Sequence, residues 1–190
     1  MTLEELETHI AGCRDGHRLS QQRIYRQFYA LGMSVCIRYA HSREEAEEMC
    51  HDGFERAFSS IRSLAEPAAI KGWLRRIFIR AAIDHYRKYR RSQPVLDALE
   101  GAAATFSAVE NTPLDHLSWQ EKLALVQLLP PAYRIAFNLC AIEEYPTSEA
   151  AELLGIAEGT LRGNLAKARF KLRELIENQE LKPFHHDITR

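Results

Sequence analysis

The sequence predicts an all-α protein: two small helical domains joined by a flexible linker. Three observations carry that expectation. Apolar residues recur at spacings of three and four through most of the chain, the period of amphipathic helices. No stretch shows sustained strand alternation, and there is no internal repeat. Between two helical blocks, residues 92–116 contain no Lys or Arg, are rich in Ala and include Pro94, Gly101 and Pro113. Such a stretch is longer than an ordinary loop in a compact domain and reads as an acidic tether. The expected division is a first helical domain over 1–91, the linker over 92–116, a second domain over 117–178 and a loose tail over 179–190.

In chain order, Leu3 to Ile10 reads as a short acidic amphipathic helix interrupted by Gly12 and Gly16. From Ser20 a long helix carries Ile24, Phe28, Leu31, Val35 and Tyr39 on one stripe. Ser42 is a good N-cap for the next helix, with Glu44 and Glu45 in the first turn where the helix dipole favours carboxylates. One side of that helix is apolar (Ala46, Met49, Cys50, Gly53, Phe54, Ala57, Phe58) and the other is acidic, with Glu45, Glu48, Asp52 and Glu55. Ser59 to Pro67 has loop composition. Ala68 to Arg91 is a third long helix.

After the linker, Leu117 to Leu129 is expected to be a helix stopped by Pro130-Pro131. Pro131 can open the following helix, Ala132 to Ile142. Glu143 to Pro146 is a break. Thr147 is expected to cap a short helix that ends at Gly155, and Glu158 to Ile176 forms the last helix.

The strongest functional signal is Thr147 to Ile176. It combines a short helix, small Ala151 where two helices cross, the turn glycine Gly155 and a longer helix. Leu161, Leu165, Ala168, Leu172 and Leu175 give that longer helix one apolar face, and Arg162, Lys167, Arg169, Lys171 and Arg173 occupy the rest. That pattern is a helix-turn-helix with a basic recognition helix. A basic face alone would fit an ordinary solvated hairpin; the cap, small residue and turn glycine together favour DNA binding.

The second signal is the helix from Ile70 to Arg91. It carries eight basic residues (Lys71, Arg75, Arg76, Arg80, Arg87, Lys88, Arg90, Arg91) against the single acid Asp84. Trp73, Phe78, Tyr86 and Tyr89 are interleaved. Arginines neutralise phosphates and aromatic rings stack on unpaired bases. For Trp73 and Phe78 a place in the core is at least as good a reading. Two basic modules on one tether could engage two separated DNA sites with the avidity that linkage confers.

Bulk properties narrow the rest. The formal net charge of −1 does not by itself announce a nucleic-acid partner. No apolar run reaches the roughly 18 residues of a membrane span. The acidic N-terminal stretch lacks a signal-peptide layout, so a cytoplasmic protein with no membrane insertion is expected. The four cysteines form no C-x-x-C pair and read as free, buried thiols. Cys50-His51 and His185-His186 make poor metal chelates, and no metal or cofactor is called for. No phosphate loop or nucleophile with a placed base is present, so an enzyme is not expected. Asp84-His85 reads as a surface pair.

The segments REEAEEMCHDGFERAF and IKGWLRRIFIRAAIDHYRK resemble region 2 of bacterial sigma factors, and the stretch from Leu125 to Leu175 resembles region 4. With a linker in place of region 3, the layout is similar to that of the extracytoplasmic-function (ECF) group. The resemblance implies several roles. The helix bearing Glu45, Glu48, Asp52 and Glu55 would bind the β′ clamp helices of core RNA polymerase. The loop Ser59 to Ala69, with Trp73, Arg76, Arg80, Arg87, Lys88, Arg90 and Arg91, would read and open the −10 element. Arg162, Gly163, Asn164, Lys167 and Arg169 would read the −35 element, and region 4 would touch the β flap. An anti-sigma factor is a further implied partner, and a monomer suffices for one polymerase.

Three places depart from the family pattern. Arg80 stands where Asn is common, Gly163 and Asn164 replace a Ser and a basic residue, and no glycine occurs in the break at Glu143 to Pro146. Gly163 costs about 1 kcal/mol of helix propensity relative to Ala and removes a side chain from the face expected to meet DNA. Two other functions compete: a helix-turn-helix regulator that acts without polymerase, and a helical protein-interaction module.

Overall fold

The computed structural model describes residues 1–92 and 118–180, and all regular structure among them is helical. Contacts divide the chain into two units, Met1–Pro94 and Val95–Arg190. The expected linker, beyond Ser92, and the expected tail, beyond Glu180, lie outside the described residues.

In the first unit, α1 (Leu3–Arg14) starts at a reciprocal cap. The Thr2 hydroxyl accepts from the Glu5 amide at 3.2 Å, and the Glu5 carboxylate accepts from the Thr2 amide at 2.8 Å. This helix runs straight through Gly12, contrary to the expected interruption. Gly12 marks a close approach instead: a Cβ there would lie 2.2 Å from Ser20 Oγ. The chain turns at Gly16, whose φ of +76° suits glycine. Helix α2 (Arg18–Cys36) follows, beginning ahead of Ser20.

Helix α3 (Arg43–Ser59) begins as expected at Ser42, whose hydroxyl accepts from the Glu45 amide at 3.1 Å. The stretch expected to be loop contains two single 3₁₀ turns, Ile61–Ser63 and Pro67–Ala69, before α4 (Ile70–Ser92). Helices α2, α3 and α4 meet around Phe78, which is fully buried. Its ring occupies a slot left by two glycines: a Cβ on Gly53 would stand 2.4 Å from it, and one on Gly32 2.8 Å. Phe54 packs edge-on against it, with centroids 5.1 Å apart. Phe78 is therefore core, one of the two readings open for it. All four cysteines are free thiols, three of them buried. Burial pushes the Cys13 thiol up to about 11. Cys36 is also raised, first by its hydrogen bond to Cys50 and then by burial.

In the second unit, α5 (Trp119–Gln127) opens on a capping box between Ser118 and Glu121. Its far end is closed by Arg134, which is 2% exposed and donates to the Gln127 and Leu129 carbonyls, both at 2.9 Å. Those carbonyls would otherwise be orphaned at a helix terminus. Pro131 is the first residue of α6 (Pro131–Phe137), as expected; the helix then widens into a π turn, Asn138–Ile142. The glycine-free break is solved by Glu144, which takes a left-handed conformation at φ +58°.

Helix α7 (Thr147–Leu154) differs from expectation at its start. Pro146 occupies the cap position and Thr147 is already helical. The Thr147 hydroxyl instead donates across the motif to Glu158 Oε1 at 2.7 Å, the first residue of α8 (Glu158–Glu180). Gly155 ends α7 in the left-handed conformation at φ +66°, as expected. Leu161, Leu165, Ala168, Leu172 and Ile176 are buried, so the apolar face of α8 holds the unit together.

Two outcomes follow from this packing. Gly53→Ala forces a methyl into the Phe78 ring and is expected to destabilise the first unit by about 1–3 kcal/mol. At Gly72 a Cβ meets nothing within 4 Å, so Gly72→Ala should stabilise by up to about 1 kcal/mol. Denaturant unfolding of both variants checks the pair. In the second unit, the Glu158 carboxyl is held below the usual carboxylate range, first by the Thr147 hydroxyl and then by Arg162. A depressed folded value contributes stability at neutral pH that is lost as pH falls through it. Thr147→Val is expected to move the Glu158 titration midpoint upward, read by NMR; an unmoved midpoint would assign the depression to another group.

Candidate nucleic-acid and protein interfaces

The slot that receives Phe78 sets which residues of α4 face outward. Gly72, Arg76 and Arg80, spaced by four, are exposed, and Lys88 and Arg91 are exposed further along. Arg87 and Arg90 are half-buried. The helix's single acid is neutralised within the fold: Asp84 Oδ2 meets Arg56 Nη1 of α3 at 2.5 Å, and its other oxygen lies 3.9 Å from Arg87. The outward stripe of α4 is thus uniformly cationic.

Trp73 takes an intermediate position between the two readings open for it. It is half-buried, and its indole Nε1–H donates to Ser63 Oγ at 3.3 Å. That bond joins α4 to the 59–69 stretch, in which Ile61 and Leu64 are buried while Arg62, Ser63, Ala65 and Glu66 are exposed.

Helix α3 presents the opposite charge. Glu44, Glu48, His51 and Glu55 are all exposed at spacings of four, three and four, so they form one outward stripe. Of the four carboxylates expected there, Glu48 and Glu55 lie on it. The other two are half-buried and engaged within the fold. Glu45 Oε2 accepts from the His41 amide at 2.6 Å, and Asp52 Oδ2 meets His85 Nε2 at 3.0 Å. Sequence reasoning weighed His51 only as a metal ligand, although the 44-48-51-55 spacing could have placed it on this stripe. Its Nε2 lies 3.0 Å from the Tyr25 hydroxyl on α2. The backbone amide at its own position and the Ser42 hydroxyl hold the Glu44 carboxyl below the usual range, so this end of the stripe stays ionised.

On α8, Arg162 is exposed and its guanidinium meets Glu158 Oε1 at 2.7 Å. Gly163 faces open space, since a Cβ there would touch nothing within 4 Å. Lys167 is half-buried, its ammonium 5.9 Å from the Tyr133 ring centroid. Asn164 departs from the expectation of a base-reading residue: it is 7% exposed and turned into the unit. Its position three residues after Leu161 and four before Ala168, both fully buried, explains the inward placement. Arg169 is half-buried, and its charge acts on the Cys140 thiol of the π turn. Thr160 was overlooked; it is exposed one turn before Gly163, so Thr160, Gly163 and Lys167 share a helical face. Among the described residues no three His, Cys, Asp or Glu side chains gather as a metal site. No helix among them is long and apolar enough to cross a membrane.

Comparison with known proteins places both units. Residues 24–92 match sigma-70 region 2 and residues 120–172 match sigma-70 region 4. The chain is 26% identical over 175 residues to the ECF RNA polymerase sigma factor SigM of Mycobacterium tuberculosis, covering 91% of this chain and 83% of that protein. It is 25% identical to the RNA polymerase sigma factor SigV of Bacillus subtilis, covering 81% and 87%. Among solved structures it is similar to CnrH in complex with the cytosolic domain of CnrY, at TM-score 0.46 and 18% identity, covering 92% and 98%. It is also similar to the sigma factor RpoE in complex with the anti-sigma factor NepR from Bartonella quintana, at TM-score 0.49 and 20% identity, covering 82% and 96%. With regions 2 and 4 matched in order across most of its length, the chain belongs to the sigma-70 family of transcription initiation factors, in the ECF group.

Proposed function

We propose that the outward stripe of α3 docks on core RNA polymerase while the stripe of α4 and the helix-turn-helix engage the two elements of a promoter. The observation that carries this reading is the segregation of charge in the first unit. Glu44, Glu48 and Glu55 line one surface helix, and Arg76, Arg80, Lys88 and Arg91 line its neighbour. An acidic helix is repelled by DNA and suited to a basic protein surface, and the arginine helix is the reverse. The β′ clamp helices are the family's partner for the acidic face, and the β flap its partner for region 4.

In this reading the −10 element meets the 59–69 stretch, Trp73, Arg76 and Arg80, and Arg87, Lys88, Arg90 and Arg91 hold phosphates. The −35 element meets Thr160, Arg162, Gly163 and Lys167; Asn164 and Arg169 support the helix from behind. Arg80 and the bare Gly163 give the chain its own base preference. The chain contributes no bond-making group, because the polymerase performs the chemistry. It works in the cytoplasm as one copy per polymerase, and an anti-sigma factor of the kind bound to the Bartonella RpoE is a candidate regulator. The proposed domain limits are 1–91 and 117–178, joined by 92–116 and followed by 179–190, with α4 running one residue and α8 two residues past them.

Retention on immobilised core polymerase and on duplex promoter DNA tests the assignment of faces. Glu48→Gln combined with Glu55→Gln should weaken polymerase retention by about tenfold without weakening DNA retention. Arg162→Ala should do the opposite, lowering the salt slope of DNA binding by about one. Gly163→Ser should alter promoter affinity or preference. A wild-type protein that held DNA but not polymerase would favour a free-standing regulator. One that held neither would favour an interaction module.

A further inference from the structure

The stretch that faces the −10 element in the reading above is braced from below by α1, which precedes the region 2 match at residue 24. Arg14, the last residue of α1, donates from Nη2 to the Leu64 carbonyl at 2.7 Å. Arg62 reaches back to the Arg14 carbonyl at 3.3 Å, so the two segments are joined in both directions. The end of α1 buries Ile10 and Cys13, and α1 packs against both 3₁₀ turns.

The place of this bond matters more than its strength. The Leu64 amide closes the first 3₁₀ turn on the Ile61 carbonyl at 3.2 Å, and Leu64 itself is extended, with φ −74° and ψ 103°. Leu64 is therefore where the chain leaves the turn. Fixing its carbonyl fixes the direction taken by exposed Ala65 and Glu66, while Trp73 holds Ser63 from the α4 side. No carboxylate pairs with Arg14 among the described residues. Its Nε–H is buried with no partner among them, so the Leu64 carbonyl is the group this side chain holds.

We propose that Arg14 is a positioning residue for promoter opening: by holding the Leu64 carbonyl it sets residues 62–66 in the conformation that receives the −10 strand. This rests on the sigma-factor reading. The full-length chain with bacterial core polymerase tests it through two variants, Arg14→Met, which keeps the aliphatic stem without the donors, and Arg14→Lys, which restores a donor. Three quantities are compared: permanganate reactivity of unpaired −10 thymines, affinity for core polymerase, and amide exchange over 61–66 in the free protein.

Arg14→Met should lower opening by about tenfold, the scale of one charged hydrogen bond, speed exchange at 61–66, and leave polymerase affinity unchanged. Arg14→Lys should recover part of the opening. Unchanged opening in Arg14→Met would overturn the proposal. So would an equal loss of polymerase affinity with faster exchange throughout 1–92, because that pattern marks general destabilisation. If the wild type opened no promoter while Arg14→Met still freed 61–66, the sigma reading would have failed, and the role in opening with it, although the contact was correctly described.

Discussion

The arrangement of the first unit depends on a single steric fit, the Phe78 ring in a slot made by Gly32 and Gly53. Neither glycine has a positive φ, so neither is there for backbone freedom. Each is there because a side chain would collide with the ring. The fit also fixes how α4 is rotated. At about 100° per residue, Arg76 and Arg80 each sit roughly opposite Phe78 on the helix. Burying the ring therefore turns both guanidinium groups to the surface. One packing constraint in the core in this way decides which charges a partner meets.

Charge separation between α3 and α4 follows from the same packing. Arg43 at the start of α3 pairs with Glu47 of its own helix, while Arg56, a cation on the acidic helix, and Asp84, the one acid on the basic helix, neutralise each other across the contact. Both are about two-fifths exposed, so the pair contributes little to stability. Its effect is to leave the outward stripes unmixed. The second unit solves a different problem, holding a recognition helix on a short motif. Gly155 turns the chain, and the bond from Thr147 to Glu158 ties the start of α7 to the start of α8. Arg134 locks α5 from within, using a guanidinium where an apolar residue would leave carbonyls unsatisfied.

What could be read in the sequence was what depends on neighbours in the chain. Ser42, Pro131 and Gly155 act through local caps and turns, and each lies where its residue type predicts. The helix-turn-helix and both basic helices were legible for the same reason: their periodicity is long and regular. What depends on a distant partner was not. Gly12 looked like a break because its contact with Ser20 belongs to another helix. Thr147 looked like a cap because Glu158 is brought to it only by folding. Asn164 looked like a reading residue, but the side of a helix that turns inward is decided by what packs on it. Glu144 shows the limit most plainly, since a left-handed glutamate leaves no mark in composition.

The central claim is that these two units serve one event, selective initiation by a polymerase that cannot find promoters alone. Transcription by purified bacterial core polymerase from a library of random upstream sequences, with and without this chain, measures that directly. The account predicts new start sites that depend on the chain and share two sequence elements at a fixed separation, one for each unit. Transcripts unchanged by the chain, or start sites sharing no upstream elements, would contradict it.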